Sequence, residues 1–313
     1  MTLYRHSVPP LRVSPATLAA LLGIQIAFAS NYLFSKIVME VVPPLVWGFF
    51  RTLCTAIILL LFLFFRGQLQ TRKAWALRRE LLLFSVLGVI INQASFLAGL
   101  KLTTTANSGL INTMIPVFTV LWVTLSKREN FSFTRWAGFS LSFMGVLLLQ
   151  DLGHFSLSEA TYRGDLFTLL NAFSYSLFLF LSPPFFKNES PVWITAWLFF
   201  FGSVGLGFLS LPQWPLFEPA SVSQTTLLFG LLGILLGNLV PYLLIGYVLT
   251  KTASSIIAQF VYLQALIAGF LGYAFLHESV SSRTLVSAAI IFLGLYFTLA
   301  TVPFGIRLIR KNS

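Results

Sequence analysis

Charge is what this sequence has least of. Only 9% of its 313 residues are Asp, Glu, Lys or Arg, against about 25% in a soluble domain. A soluble fold needs a polar surface, and with 57% hydrophobic residues this chain cannot supply one. The shortage excludes a water-soluble globule and leaves the hydrocarbon of a bilayer as the solvent. Cysteine is scarcer still. The single Cys54 lies in an apolar run, so no disulfide can form within the chain, and the thiol reads as buried and inert. The histidines, His6, His154 and His277, fall outside the apolar runs. No H-E-x-x-H, no paired carboxylates and no Cys/His arrangement occurs at useful depth. The chain is therefore expected not to be an enzyme and to hold no metal or cofactor. Alternating ten-residue segments are missing too, which argues against a transmembrane β-barrel.

Long apolar runs are what is present. A membrane helix needs about 20 mostly apolar residues, and ten segments approach or meet that length: 16–38, 43–65, 81–100, 105–126, 135–150, 164–186, 191–211, 225–248, 254–276 and 284–304. The fifth is short, and Pro183-Pro184 blur the end of the sixth. The first run leads into further spans and reads as an uncleaved first helix rather than a signal peptide. The net charge of +11 follows from orientation rather than from nucleic acid. With the N-terminus in the cytoplasm, fifteen Lys and Arg fall on the cytoplasmic side, and only Lys101, Arg163 and Arg283 fall outside. Basic loops stay inside, so an even helix count with both termini cytoplasmic is expected.

Five plus five helices invite a search for a repeat. Thr105-Ala106-Asn107-Ser108 stands opposite Thr252-Ala253-Ser254-Ser255, Glu129 opposite Glu278, and Gly145 opposite Gly294. Five is odd, so the second unit runs through the membrane upside down, the inverted plan of many secondary transporters. The expected fold is all-α: ten transmembrane helices as two inverted five-helix repeats, 1–150 and 151–313, in one membrane domain.

The stretch Ala98-Gly99-Leu100-Lys101-Leu102-Thr103-Thr104-Thr105-Ala106-Asn107, followed by Ile115-Pro116-Val117-Phe118-Thr119, resembles the EamA-type branch of the drug/metabolite transporter superfamily. So do Leu276-His277-Glu278-Ser279, Arg51 early in the second helix, and Ser30-Asn31 followed by Lys36. The chain departs from the family pattern in having Phe28 or Ala29 before Ser30-Asn31, and Ser174-Tyr175, where the family shows tryptophan. The resemblance implies a ten-helix inverted-repeat carrier, often an exporter of amino acids or other metabolites.

Polar side chains at membrane depth are costly and mark pathways. Near mid-span lie Asn31, Asn92, Gln93, Asn112, Asn171, Tyr175, Asn238, Tyr242, Gln259, Tyr262 and Gln264. Asn171 and Tyr175 are four apart, as are Asn238 and Tyr242, so each pair shares a helix face. Amides both donate and accept, which suits a polar solute. The competing reading is that they tie helices together. Phe28 and Trp122 could add aromatic contact. Arg51 is the one charge well inside, about 12 Å into its helix. It reads either as a recognition point for a carboxylate or phosphate or as a structural arginine bonded to helix-end carbonyls.

The nine acids sit in loops or at helix ends, with Glu129 and Glu278 as helix caps. Without a mid-span carboxylate, a facilitator or exchanger is expected rather than a proton pump. Pro116 and Pro241 inside spans are candidate hinges, and Gly230, Gly233 and Gly237 read as packing positions. The expected function is secondary transport of a small polar metabolite by alternating access. The alternatives are a lipid or lipid-linked flippase, or a non-transporting membrane subunit. The expected partners are a small-molecule substrate and membrane lipids, with no nucleic acid. A monomer or homodimer in the cell membrane is expected, and the lack of long loops points to a bacterial inner membrane.

Overall fold

A computed structural model describes residues 13–103, 105–149, 159–267 and 282–301. All regular structure among them is helical. Eight helices are long and apolar enough to cross a membrane. They are α1 (Pro15–Val38), α2 (Pro44–Phe65), α3 (Arg78–Leu102), α4 (Asn107–Leu125), α6 (Glu159–Leu181), α7 (Pro191–Ser210), α8 (Gln224–Leu249) and α10 (Ser282–Ala300). Two shorter apolar helices complete the set, α5 (Phe133–Leu149) and α9 (Ser254–Ile267). Glu278, Pro-free residues 268–276 of the ninth segment, and the end of the tenth lie outside the described residues.

Local chemistry sets the helix ends. Ser14 caps α1, its Oγ accepting from the Thr17 N–H at 3.1 Å, with Pro15 in the first turn. Ser223 caps α8 in the same way. Prolines also open α2 and α7, where the missing N–H is one that no helix start uses. Gly67 adopts φ +64 after α2, and the Gln68 N–H returns to the Leu63 carbonyl at 2.8 Å, closing the helix with a left-handed turn. The sixth segment stops earlier than the sequence suggests. α6 ends at Leu181, and Pro183–Asn188 form a separate short helix, because neither proline can donate to the preceding turn.

The helices pack as α1 on α8, α2 on α7, the second half of α3 on α6, α4 on α6 and α9, and α5 on α10. The α5–α10 crossing is backbone against backbone. A Cβ at Gly138 would stand 2.6 Å from the Gly294 carbonyl oxygen, so only glycine permits this approach. Polarity runs opposite to that of a soluble protein. Phe62, Phe65, Met144, Phe208, Leu231 and Phe292 are exposed, while Asn31, Arg51, Gln93, Asn171 and Asn238 are buried. Cys54 is half-buried rather than fully enclosed.

Among the described residues four helices are interrupted, in two pairs. α3 widens into a π-helical turn over Val86–Ile91 and α8 over Leu235–Leu239. α4 breaks at Thr113 and α9 at Phe260-Val261, at the same offset as the repeat read in the sequence. Pro116 and Pro241 each lie in the first turn after an interruption. They lack the N–H that an α-turn would direct to the carbonyls of Asn112 and Gly237.

Candidate functional site

Arg51, two turns into α2, is buried. Its Nε donates to Gln93 Oε1 at 2.6 Å, and its Nη1 donates to Asn31 Oδ1 and Ser35 Oγ, both at 3.3 Å. The partners are side-chain amides and a hydroxyl, not the helix-end carbonyls considered from sequence. Asn31 and Ser35 are four apart on α1 and so share a face. Ser35 Oγ donates onward to Asn31 Oδ1 at 3.1 Å. Gln93 in turn donates through Nε2 to Asn238 Oδ1 at 2.9 Å. One hydrogen-bonded chain thus joins α1, α2, α3 and α8. Gly237 makes room for it, since a Cβ there would collide with Asn31 Oδ1.

A second set of side chains attends the π-turn of α3. Such a turn disturbs the ordinary backbone ladder, and side chains from other helices bond to carbonyls around it. Ser174 Oγ donates to the Leu87 carbonyl at 2.7 Å, Tyr242 OH to the Gly88 carbonyl at 2.7 Å, and Asn171 Nδ2 to the Asn92 carbonyl at 2.8 Å. Tyr242 OH also lies 3.1 Å from Asn92 Oδ1. On the far side Asn112 bonds to the Tyr32 hydroxyl, and Gln264 Nε2 donates to Gln25 Oε1 at 2.9 Å.

Between these groups lies a cavity of about 60 Å³, room for several waters at roughly 10–15 Å³ each. Nine of the residues singled out from sequence line it: Asn31, Arg51, Asn92, Gln93, Asn112, Asn171, Tyr175, Tyr242 and Gln264. The sequence matches the EamA-like transporter family over residues 16–150 and again over 162–300. The chain belongs to that family. Its resemblance to the drug/metabolite transporter superfamily, drawn from the Ala98–Asn107 stretch, is thereby borne out. It is a multi-pass membrane protein whose named relatives are transporters rather than enzymes.

Among those relatives is an uncharacterized transporter of Archaeoglobus fulgidus, 26% identical over 275 residues, covering 87% of this chain and 93% of the relative. A chloroplastic WAT1-related protein of Arabidopsis thaliana is 24% identical over 272 residues, covering 83% of this chain and 64% of that protein. One solved crystal structure superposes with a TM-score of 0.76 over 93% of this chain and 98% of its own, at 14% identity. At that identity the likeness speaks for the fold alone.

Three of the polar residues read as site candidates do not line the cavity of this EamA-like protein. Asn238 stands behind Gln93 as its acceptor. Gln259 donates to Ser142 Oγ at 3.2 Å between α9 and α5. Tyr262 is fully buried, packed between the rings of Phe139 and Phe143. Trp122, considered for stacking, lies elsewhere and donates to Ser176 Oγ at 3.2 Å. Phe28 does line the cavity, edge-on to Tyr175 and Tyr242 at 6.4 and 6.3 Å between centroids. Sequence reasoning missed Tyr32, Phe96, Ile115, Gly237 and Val261. The one available signal was that Tyr32 follows Phe28 by a helical turn.

The acids also hold a correction. Glu129 does not cap the helix that follows it. It is buried, paired with Arg135 at 3.0 Å, and it accepts from the Ser255 N–H at 3.3 Å, so it caps α9 from across the fold. Asp165, in the second turn of α6, is also buried and accepts from Thr103 Oγ1 at 2.6 Å and from Asn107 Nδ2 at 3.2 Å. Among the described residues no group of three His, Cys, Asp or Glu side chains could hold a metal ion.

Proposed function

We propose that this protein is a secondary carrier that moves a small polar metabolite through the central cavity by alternating access. On this reading α1 to α5 and α6 to α10 are inverted units within 1–150 and 151–313, and all ten helices span a cell membrane with both termini cytoplasmic. The carrier works as an exporter or as a facilitator or exchanger. The observation that carries the proposal is where the interrupted helices fall. The paired breaks in α3 and α8 and in α4 and α9 all flank the cavity, whose lining includes Asn92, Gly237, Asn112 and Val261 from those helices. Irregular backbone at membrane depth is tolerated where it lines a cavity, and discontinuous helices from two repeats build the substrate site of many carriers. The matches to one family over residues 16–150 and 162–300 support the two-unit reading.

Counterflow in proteoliposomes tests it. Vesicles loaded with unlabelled pools of organic acids, amino acids, nucleosides or sugars are diluted into the corresponding labelled pool. Transient accumulation above equilibrium with one pool, absent from empty liposomes, is the expected result. No accumulation with any pool, from protein that melts cooperatively, counts against a metabolite carrier.

A further inference from the structure

Among the described residues, the lining of the cavity contains one cation and no acid. Arg51 supplies the positive charge, and the other lining residues are amides, phenols, apolar side chains and Gly237. Its three acceptors, Gln93 Oε1, Asn31 Oδ1 and Ser35 Oγ, are all neutral. A guanidinium has five N–H donors. The three observed bonds use Nε and Nη1, which leaves both N–H groups of Nη2 without an acceptor among the described residues. Ion pairs join Lys73 to Glu189 and Arg135 to Glu129, and among the described residues no carboxylate neutralises Arg51. A charge buried without a counter-charge is costly in a low-dielectric site, and here the unpaired charge faces an open cavity.

We propose that the cavity selects organic monoanions, the ligand's single carboxylate docking on the free edge of Arg51. This rests on the carrier reading above and names the substrate class for the same site. One negative charge neutralises the site. A zwitterion brings an ammonium group that finds no acid in the lining and is repelled by Arg51. A dianion brings a second charge with no second cation to meet it. The body of the ligand lies among Phe28, Tyr32, Phe96 and Tyr175, which make edge-to-face contacts with one another and with Tyr242.

The test uses probes matched in shape and differing in charge: lactate against alanine, lactamide and malate, and benzoate against benzamide. Counterflow and thermal protection are measured on the full-length protein and on Arg51→Gln and Arg51→Lys. The expected result is that a monocarboxylate exceeds its zwitterionic, neutral and dianionic counterparts by at least tenfold in uptake. Arg51→Gln should bring the benzoate-to-benzamide ratio close to one, and Arg51→Lys should restore part of it. Cooperative melting of each variant separates a lost charge from a lost fold, and if Arg51→Gln does not fold, the ratio in Arg51→Lys is read against the parent. Alanine outrunning lactate, or a benzoate-to-benzamide ratio unchanged in Arg51→Gln, overturns the monoanion assignment while leaving a carrier in place. Transport confined to sugars or nucleosides does the same. No uptake and no protection by any probe overturns both readings.

Discussion

Arg51 and Arg135 are both buried guanidiniums, and the protein treats them in opposite ways. Arg135 meets a counter-charge, although its Nε is buried without a partner. Its Nη2 meets Glu129 at 3.0 Å and Ser255 Oγ at 2.7 Å, its Nη1 donates to the Asn130 carbonyl at 2.9 Å, and its plane lies 4.2 Å from the centre of the Phe131 ring. Ser255 also donates its hydroxyl to Glu129, so the start of α5 and the start of α9 are joined through a neutral, closed cluster. Arg51 has only neutral acceptors and an open cavity beside it. A paired charge in a dry interior ties two elements in one arrangement. An unpaired one is stable only if something arrives to complete it, or if waters occupy the space meanwhile. On the monoanion proposal, the difference separates a structural arginine from a binding arginine more sharply than burial does, since both are buried to a similar degree.

The largest expected effect comes from opening the closed cluster. Glu129→Ala leaves the Arg135 guanidinium buried without its counter-charge, and breaking one side of such a pair costs about 3–5 kcal/mol. Thermal melting in detergent should register this as a large drop in midpoint. Replacing both partners together, Glu129→Met with Arg135→Met, should recover most of the loss, because an apolar pair of similar volume is often neutral or stabilising. Equal destabilisation by the single and the double change would mean that the loss comes from the bonds between Glu129 and Ser255, which both variants lack, rather than from the uncompensated charge on Arg135.

Next comes the glycine that shapes the open site. Gly237→Ala puts a methyl group against Asn31 Oδ1 and within 3.4 Å of Arg51 Nη1. Asn31 must swing away and take with it the bonds to Arg51 and Ser35. Overpacking of this kind costs about 1–3 kcal/mol. Uptake of any transported probe should fall by more than the melting midpoint suggests, since the displaced groups line the cavity. A variant with parental uptake would show that the Asn31 position is not needed for the ligand.

The contrast between these positions shows what the sequence made legible. Arg51, Asn31 and Gln93 stood out because polar side chains inside apolar runs have few reasons to be there, and all three line the cavity. Gly237 was read as packing, because a glycine's role depends on what approaches it, here an asparagine from the first helix. The π-turns of α3 and α8 have no residue signature in the chain and were invisible. The proline that follows one of them, Pro241, was the nearest hint. The partner of Glu129 was hidden for another reason. Asn107-Ser108 and Ser254-Ser255 were visible as counterparts in the repeat, but which acid meets which hydroxyl depends on the packing of α5 against α9. Gln259 and Tyr262 were misplaced because period and polarity fix a helix face only up to a rotation, and the break at Phe260-Val261 alters that rotation just there.

A smaller stability effect is expected at the open arginine, and it tests the comparison directly. Arg51→Gln removes a buried charge that no acid balances. It also removes a short bond to Gln93, which the new amide can partly replace. These changes oppose one another, so the stability should change by about 1 kcal/mol or less in either direction, well below the loss in Glu129→Ala. A destabilisation equal to that of Glu129→Ala would make Arg51 as structural as Arg135 and erase the distinction drawn between them.

The smallest expected effect lies at the two prolines. Pro116→Ala and Pro241→Ala each restore a backbone N–H one turn beyond Asn112 and Gly237, positions that line the cavity. Both prolines sit in the first turn of a helix segment, where proline is well tolerated, so removing either changes stability little. If the interruptions serve as hinges, the new N–H bonds to the carbonyl one turn back and stiffens the junction. Turnover in counterflow should then fall severalfold while the half-saturating concentration stays the same, because the ligand contacts are untouched. The double variant should be slower than either single one, since α4 and α8 would have to bend together. Unchanged turnover in the double variant would assign the prolines to helix shape alone, and would place the moving parts at the π-turn of α3 and the break in α9, which contain no proline.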